Sequence, residues 1–139
     1  MELRAPNDHE FQQIGNYIRD FELDDRLLKK EEFSAAFRQN ELIGFGRLRN
    51  HSDCVELCSL GVVTPHRRQG IGRAIVQELI RRAPGDVHLV CVIPEFFLPF
   101  DFKVVQDFPL SIQDKLTYCR SSLAVPETYV AMLFQKKHS

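Results

Sequence analysis

Residues 61–82 read GVVTPHRRQGIGRAIVQELIRR, and a change of rhythm inside them decides the fold. Val62 and Val63 close an apolar, β-branched run and Pro65 breaks it. From Ile71 the apolar residues Ile71, Ala74, Ile75, Leu79, Ile80 and Ala83 recur at helical spacing. The stretch is expected to be a strand, a tight basic turn and a helix from Gly70 to Ala83. Amides at a helix start lack intrahelical partners and carry partial positive charge, so they attract anions, phosphates above all. Gly70 and Gly72 have no Cβ to keep a ligand off those amides. Arg67, Arg68 and Arg73 add guanidinium donors that match phosphate. A surface helix start with solvated arginines is the plain alternative.

Two familiar phosphate loops do not fit. A Walker-type loop needs Gly-Lys-Ser/Thr where Gly72 is followed by Arg73-Ala74, and a dinucleotide fingerprint needs a third glycine where Ile75 stands. What fits is Arg67-Arg68-Gln69-Gly70-Ile71-Gly72, whose Arg-x-x-Gly-x-Gly spacing resembles the acyl-CoA signature of the GNAT superfamily of N-acyltransferases. Leu60-Gly61-Val62 closes a strand before it, as in that family. The resemblance implies that loop amides hold the CoA pyrophosphate and that the preceding strand bonds to the pantetheine arm. Cofactor contacts are thus expected at Leu60, Gly61, Val62, Arg67, Arg68, Gln69, Gly70, Ile71, Gly72 and Arg73. One departure is local: family members often place a single residue between the strand valine and the proline, whereas Val63 and Thr64 both intervene here.

The 139 residues suit one domain with one core, so residues 1–139 are expected to form a single N-acetyltransferase domain. Lys and Arg number 18 against 19 Asp and Glu, so no global field favours nucleic acid or an anionic membrane. No apolar run approaches the roughly 20 residues that span a bilayer, and MELRAPNDHE is too polar for a secretory signal. A cytosolic protein is expected. Cys54, Cys58, Cys91 and Cys119 form no Cys-x-x-Cys pair and the histidines do not cluster, which argues against structural zinc. Reduced, buried thiols are expected, and no metal.

Earlier in the chain, Leu3 to Ala5 reads as a short strand and Asp8 as the cap of a helix that puts Phe11, Ile14, Tyr17, Ile18 and Phe21 on one side. A weaker helical pattern covers Asp24 to Lys30, and Phe33 to Phe37 suits a strand. Gln39-Asn40-Glu41 is a hairpin turn into Leu42 to Arg49, and Asn50 to Asp53 is the next turn, into a strand from Cys54 to Val63. Along that strand Glu56, Cys58, Leu60 and Val62 are expected to share a face. After the helix, Pro84-Gly85-Asp86 turns into Val87 to Ile93, a strand expected parallel to Cys54–Val63 through a right-handed crossover. Leu110 to Cys119 has helical spacing, and Thr128 to Phe134, after Pro126, reads as a last strand before Lys136-Lys137-His138, a solvated end. The fold expected is α/β (α+β): a mixed, mostly antiparallel sheet of six to seven strands flanked by helices.

Pro94 to Phe102 resembles the family's Phe-Tyr-x-x-x-Gly-Phe segment, with Phe97 for tyrosine and Asp101 for glycine. Asp101 is tolerable because Asp visits left-handed backbone more readily than most residues. The tyrosine often protonates the departing thiolate, and the phenyl ring of Phe97 cannot, although by position it is expected along the cofactor. FFLPFDFKVV, FPLSIQDKLTYC and YVAM together look like the tail of the N-acetylglutamate-synthase-like branch.

Acetyl transfer to an amine needs the neutral amine, and amines such as lysine have a pKa near 10.4 in water, so a base must take a proton. Glu56 is the candidate. It precedes Val62 by six positions, where members that use a glutamate base carry it, and burial is expected to push its pKa toward neutrality. The alternative is a glutamate that is solvated or paired with Arg47 or Arg49. Those two arginines read as solvated hairpin charges, with a clamp for a carboxylate of the acceptor as the other option. Tyr118 and Tyr129 read as half-buried tyrosines. Cys58 and Cys91 read as buried thiols, not nucleophiles, since no histidine is placed to activate them.

The function expected is acetyl-CoA-dependent N-acetylation of a primary amine by direct transfer. The acceptor, whether amino acid, small amine or protein amino group, is not legible. A homodimer is left open, and no nucleic-acid or membrane partner is expected. The alternatives are a catalytically weak acyl-CoA-binding sensor of the same fold and a nucleic-acid-binding domain built on the arginine-rich helix.

Overall fold

The computed structural model describes residues 1–122 and 128–137. Pro126 and His138 lie outside them. Seven strands and four α-helices occur among the described residues: β1 Glu2–Arg4, α1 Asp8–Asp20, β2 Phe33–Arg38, β3 Glu41–Asn50, β4 Val55–Val62, α2 Ile71–Arg82, β5 Val87–Cys91, α3 Pro94–Phe97, β6 Lys103–Val105, α4 Leu110–Ser122 and β7 Val130–Phe134. The strands form one sheet in the order β1-β2-β3-β4-β5-β7-β6. β4 runs parallel to β5, while β1–β2, β2–β3, β5–β7 and β6–β7 are antiparallel. This is the mixed, mostly antiparallel architecture the sequence implies. No described helix is long and apolar enough to cross a membrane.

The chain forms two compact units, Met1–Leu48 with Leu57–Arg82, and Arg49–Glu56 with the chain from Ala83 onward. In the first, the cap of α1 lies one residue before the expected one. Asn7, not Asp8, accepts from the Glu10 amide, and the Glu10 carboxylate accepts from the Asn7 amide. Such a reciprocal box satisfies two of the helix's orphan donors. Arg4 of β1 adds a two-pronged ion pair to Glu10, both bonds 2.8 Å. Ile14 and Ile18 then bury against Phe33, Ala35, Phe37, Leu42 and Phe45, with Phe11, Tyr17 and Phe21 at the margin. β2 and β3 meet in a two-residue turn in which Gln39 and Asn40 both take left-handed backbone, φ 52° and 63°. That twist matches the twist of the flanking strands.

On α2, Ile71, Ile75, Val76 and Leu79 are buried, each worth about 1.5–3 kcal/mol relative to exposure. Their seat is Gly44, where a Cβ would lie 2.8 Å from Ile75 and 2.9 Å from Ile71, closer than real carbons approach.

Three expectations fail in this unit. Residues 24–29 are not helical. Glu22 and Leu27 sit at φ 56° and 47°, and the segment's carbonyls face Arg47. Arg47 is not a solvated hairpin charge: it is fully buried, donating to the carbonyls of Leu27, Asp24 and Arg26 at 3.3, 3.3 and 3.0 Å and to the Ser59 hydroxyl at 3.0 Å. The regular alternation expected along β4 is broken at Ser59, φ 53°. Leu60 sits 3.2 Å from a Cβ built on Gly46, beside Ile75 and Leu79, while the Ser59 hydroxyl donates to the Asp24 carbonyl. A left-handed residue inside a strand spends one position on the bend, so parity counted from Glu56 does not carry to Leu60.

In the second unit β7 lies between β5 and β6. α4 packs Ile112, Leu116 and Cys119 against Tyr129 and Ala131. Asp101 closes the turn after α3 at φ 69°, ψ 22°, the left-handed geometry expected of it. Lys136 is not a free end. Its amide donates to Asp86 at 2.9 Å and its ammonium to the Ala83 carbonyl at 2.5 Å.

Candidate functional site

The first feature is the junction between β4 and α2. Past Val62 the chain makes a 3-10 turn over Thr64–His66 with Pro65 in its first turn. The amide of His66 donates to the Val63 carbonyl at 2.8 Å. Arg67 is folded back: its Nε donates to the Val62 carbonyl at 2.9 Å and its guanidinium lies 4.9 Å from the Phe21 ring centre. This contact braces the turn, and the Arg67 side chain stays exposed.

Arg68 and Gly70 take left-handed backbone, φ 66° and 81°. The Gly70 carbonyl accepts the first helical bond, from the Ala74 amide at 3.1 Å. The amides of Ile71, Gly72 and Arg73 therefore make up the first turn of α2, where no helical carbonyl stands behind them. A Cβ on Gly70 would meet nothing within 4 Å. The helix dipole adds positive potential at these amides. Arg68, Gln69 and Arg73 are exposed around them, and Gln69 Oε1 accepts from Arg38 on β2 at 3.0 Å. Such a cradle suits a diphosphate. Leu60, Gly61 and Val62, expected along the pantetheine arm, are partly buried at the end of β4.

The second feature surrounds Glu56, which is fully buried and pairs in register with His88 of β5. Glu56 Oε1 lies 2.9 Å from His51 Nε2, and Oε2 lies 2.9 Å from Lys115 Nζ. Both partners are locally fixed. The His51 amide donates to the Cys54 carbonyl, and Asp53 accepts from the Ser111 amide at 3.1 Å, joining the β3–β4 turn to the start of α4 one turn before Lys115. The Ser111 bonds hold Asp53 below the usual carboxylate range. Burial pushes the His88 imidazole down, so it favours its neutral form.

Sequence reasoning reached Glu56 but not its partners. Lys115 left a signal: it falls on the apolar stripe of Ile112, Leu116 and Cys119, where a lysine has no apolar reason to be. Phe97 is 6% exposed and packs edge-on against Phe96 and Phe102, ring centres 5.0 and 5.8 Å away. Its ring belongs to an aromatic core. Tyr118 is half-buried against α4's cluster, as expected, whereas Tyr129 is buried in it. Burial pushes the Cys54 and Cys91 thiols up to about 12 and about 11, far from thiolate chemistry.

Solved acetyltransferases share this architecture. N-acetylglutamate synthase from Neisseria gonorrhoeae, complexed with coenzyme A and N-acetyl-glutamate, superposes with a TM-score of 0.77 at 14% identity, over 99% of this chain and 35% of its own. Rv2747 from Mycobacterium tuberculosis, in complex with CoA and NLQ, gives 0.75 at 21% identity over 99% of this chain and 100% of its own. The ribosomal-protein-S18-alanine N-acetyltransferase from Escherichia coli gives 0.66 at 12% over 99% and 95%. At such identities the likeness is one of fold, and the chain spans about a third of the synthase's length. No curated protein matches it by sequence. The model of the acetyltransferase (GNAT) family, however, matches residues 2–95, a stretch that contains both the β4–α2 junction and Glu56. This chain belongs to the acetyltransferase (GNAT) family.

Proposed function

We propose that the chain moves an acetyl group from acetyl-CoA directly to a primary amine, in the cytosol, with Glu56 as the base. The observation that carries this is the β4–α2 junction. Arg68 and Gly70 turn left-handed just before the first-turn amides of α2, open space lies on the Cβ side of Gly70, and Arg68 and Arg73 are exposed around it. The CoA pyrophosphate fits such donors.

An acceptor reaches the protein as an ammonium and must lose one proton before its nitrogen can attack. The nitrogen then bonds to the thioester carbonyl carbon, the C–S bond breaks with its electron pair going to sulfur, and the nitrogen sheds a second proton. The products are an amide and CoA. Glu56 takes a proton in this reading, and holding amine and thioester together supplies much of the rate. Phe97 offers no proton to the thiolate, which leaves as a good leaving group in its own right.

The acceptor is an amino acid, a small amine or a protein amino group. N-acetyl-glutamate in the synthase complex supports the first class, but Arg47, once a candidate clamp for its carboxylate, is spent on backbone carbonyls.

Titration calorimetry of the full chain should give saturable heat with acetyl-CoA, competed by CoA. Thiol release should follow with at least one member of a panel of free amino acids, polyamines and peptide amino groups. No heat with any CoA species ends this reading, and binding without release for every amine leaves a CoA sensor in its place.

A further inference from the structure

A carboxylate with no solvent exposure inside a sheet keeps its charge only if something compensates it; otherwise it takes up a proton. Glu56 is such a group, and a carboxyl that already carries its proton cannot take one from an ammonium. From α4, Lys115 brings its ammonium to 2.9 Å from Oε2, with 7% of its own side chain exposed. On the other oxygen stands His51 Nε2, also at 2.9 Å, on a ring with 14% of its surface exposed.

We propose that Lys115 is a positioning residue for amine deprotonation: it holds Glu56 ionised, while His51 fixes the carboxylate's orientation from the second oxygen. The proposal rests on the acetyl-transfer reading above, with Glu56 as the group that meets the amine. A pair serving only to dock α4 could be exchanged for apolar contacts without loss. α4 already makes such contacts at Ile112, Leu116 and Cys119. Apolar contacts cannot keep a carboxylate charged.

The dependence is mutual, because burial disfavours the Lys115 ammonium and the Glu56 carboxylate favours it. A carboxylate has about four acceptor directions, so the ion pair with Lys115 and the contact with His51 leave capacity for a proton from the amine. In the step itself the amine N–H bond breaks, the proton joins a Glu56 oxygen, and the nitrogen keeps the electron pair that attacks the thioester. Lys115 neither gains nor loses a proton. His51, the member of the trio that borders solvent, is the side on which the proton departs.

The test is infrared difference spectroscopy on the full chain without ligand, at neutral pH. Subtracting the Glu56→Gln spectrum from the wild type should show carboxylate bands. A protonated-carboxyl carbonyl band there overturns the proposal, and this comparison does not need any Lys115 variant to fold. Lys115→Met should convert the Glu56 bands to the protonated form, and Lys115→Arg should restore the carboxylate. Met and Arg variants that leave Glu56 ionised alike overturn the proposal too. In thiol-release assays with the best acceptor of the amine panel, Lys115→Met should lower kcat by about tenfold or more. KM for acetyl-CoA should stay within about twofold, with kcat recovering in Lys115→Arg. Turnover lost in Glu56→Gln but kept in Lys115→Met defeats this inference alone. Turnover absent from the wild type defeats the acetyl-transfer reading, while the infrared comparison still decides the charge state.

Discussion

Arg47 donates from Nε to the Ser59 hydroxyl at 3.0 Å, and that hydroxyl donates in turn to the carbonyl of Asp24 at 2.7 Å. With the further bonds from Arg47 to the carbonyls of residues 24, 26 and 27, one buried guanidinium replaces the helical hydrogen bonds this segment does not make. Glu32 at 3.5 Å and Asp24 at 3.9 Å balance its charge. Arg47→Met should therefore destabilise the protein by about 3–5 kcal/mol, since it removes the buried charge beside Glu32 and Asp24 and the donor to several buried carbonyls. A fall in Tm of more than about 10 °C is expected. A loss below about 1 kcal/mol in urea unfolding would mean that the segment holds its shape without the arginine.

Gly70 separates stability from binding. At φ 81° any L side chain is strained, yet a Cβ there meets no atom of the protein within 4 Å. Gly70→Ala should cost only about 1 kcal/mol of stability. CoA binding should fall by at least about tenfold, which is roughly 1.4 kcal/mol, because the new methyl occupies the space a pyrophosphate needs. Calorimetry and urea unfolding on the same variant test both halves. Wild-type CoA affinity would show that the ligand does not approach Gly70.

Much of this was readable from the sequence, for physical reasons that also mark the limits. The β4–α2 junction was legible because a proline, two glycines and a switch from strand to helical spacing all fall within a few residues. Glu56 stood out as one carboxylate in an apolar strand. Arg47 was not legible, because its partners are backbone carbonyls, which no side-chain pattern records. Ser59 hid the break in β4, since serine has no strong preference for left-handed backbone. Arg67 kept its place in the motif, but nothing in the motif says that it turns back onto Val62 and Phe21.

Glu56→Gln keeps the shape of the side chain and removes its ability to take a proton. Turnover at neutral pH should fall by about 10²-fold or more while the affinity for acetyl-CoA stays near wild type. Steady-state thiol release and calorimetry measure the two quantities. Unchanged turnover would take Glu56 out of the mechanism.

The thiols should be inert in the folded protein. With Cys54 at about 12 and Cys91 at about 11, the thiolate fraction at pH 8 is on the order of a hundredfold or more below that of a free cysteine. Timed alkylation with iodoacetamide, read by mass spectrometry, should label both residues far more slowly in native than in urea-unfolded protein. Rapid native labelling of Cys91 would reopen an acyl-cysteine route.

Glu10 gives a pH signature of the first unit. The Arg4 guanidinium holds its carboxyl down, burial works against this, and the Asn7 amide adds to the lowering; the pKa falls from 4.5 to about 2. The folded state therefore releases this proton more readily than the unfolded state does. Its contribution to stability is complete above about pH 4.5 and is lost as the pH falls toward 2. In Glu10→Gln that acid-sensitive part disappears, and about 1 kcal/mol of stability from the charged pair with Arg4 goes with it at neutral pH. Other carboxylates, Asp8 and Glu78 among them, are also held low and will steepen the acid limb of both proteins alike. The difference between wild type and variant thus isolates Glu10. In urea unfolding from pH 7 to pH 2, the gap should be constant down to about pH 5 and close below it. A gap that stays constant to pH 2 would show that the Arg4–Glu10 pair contributes nothing through its charge.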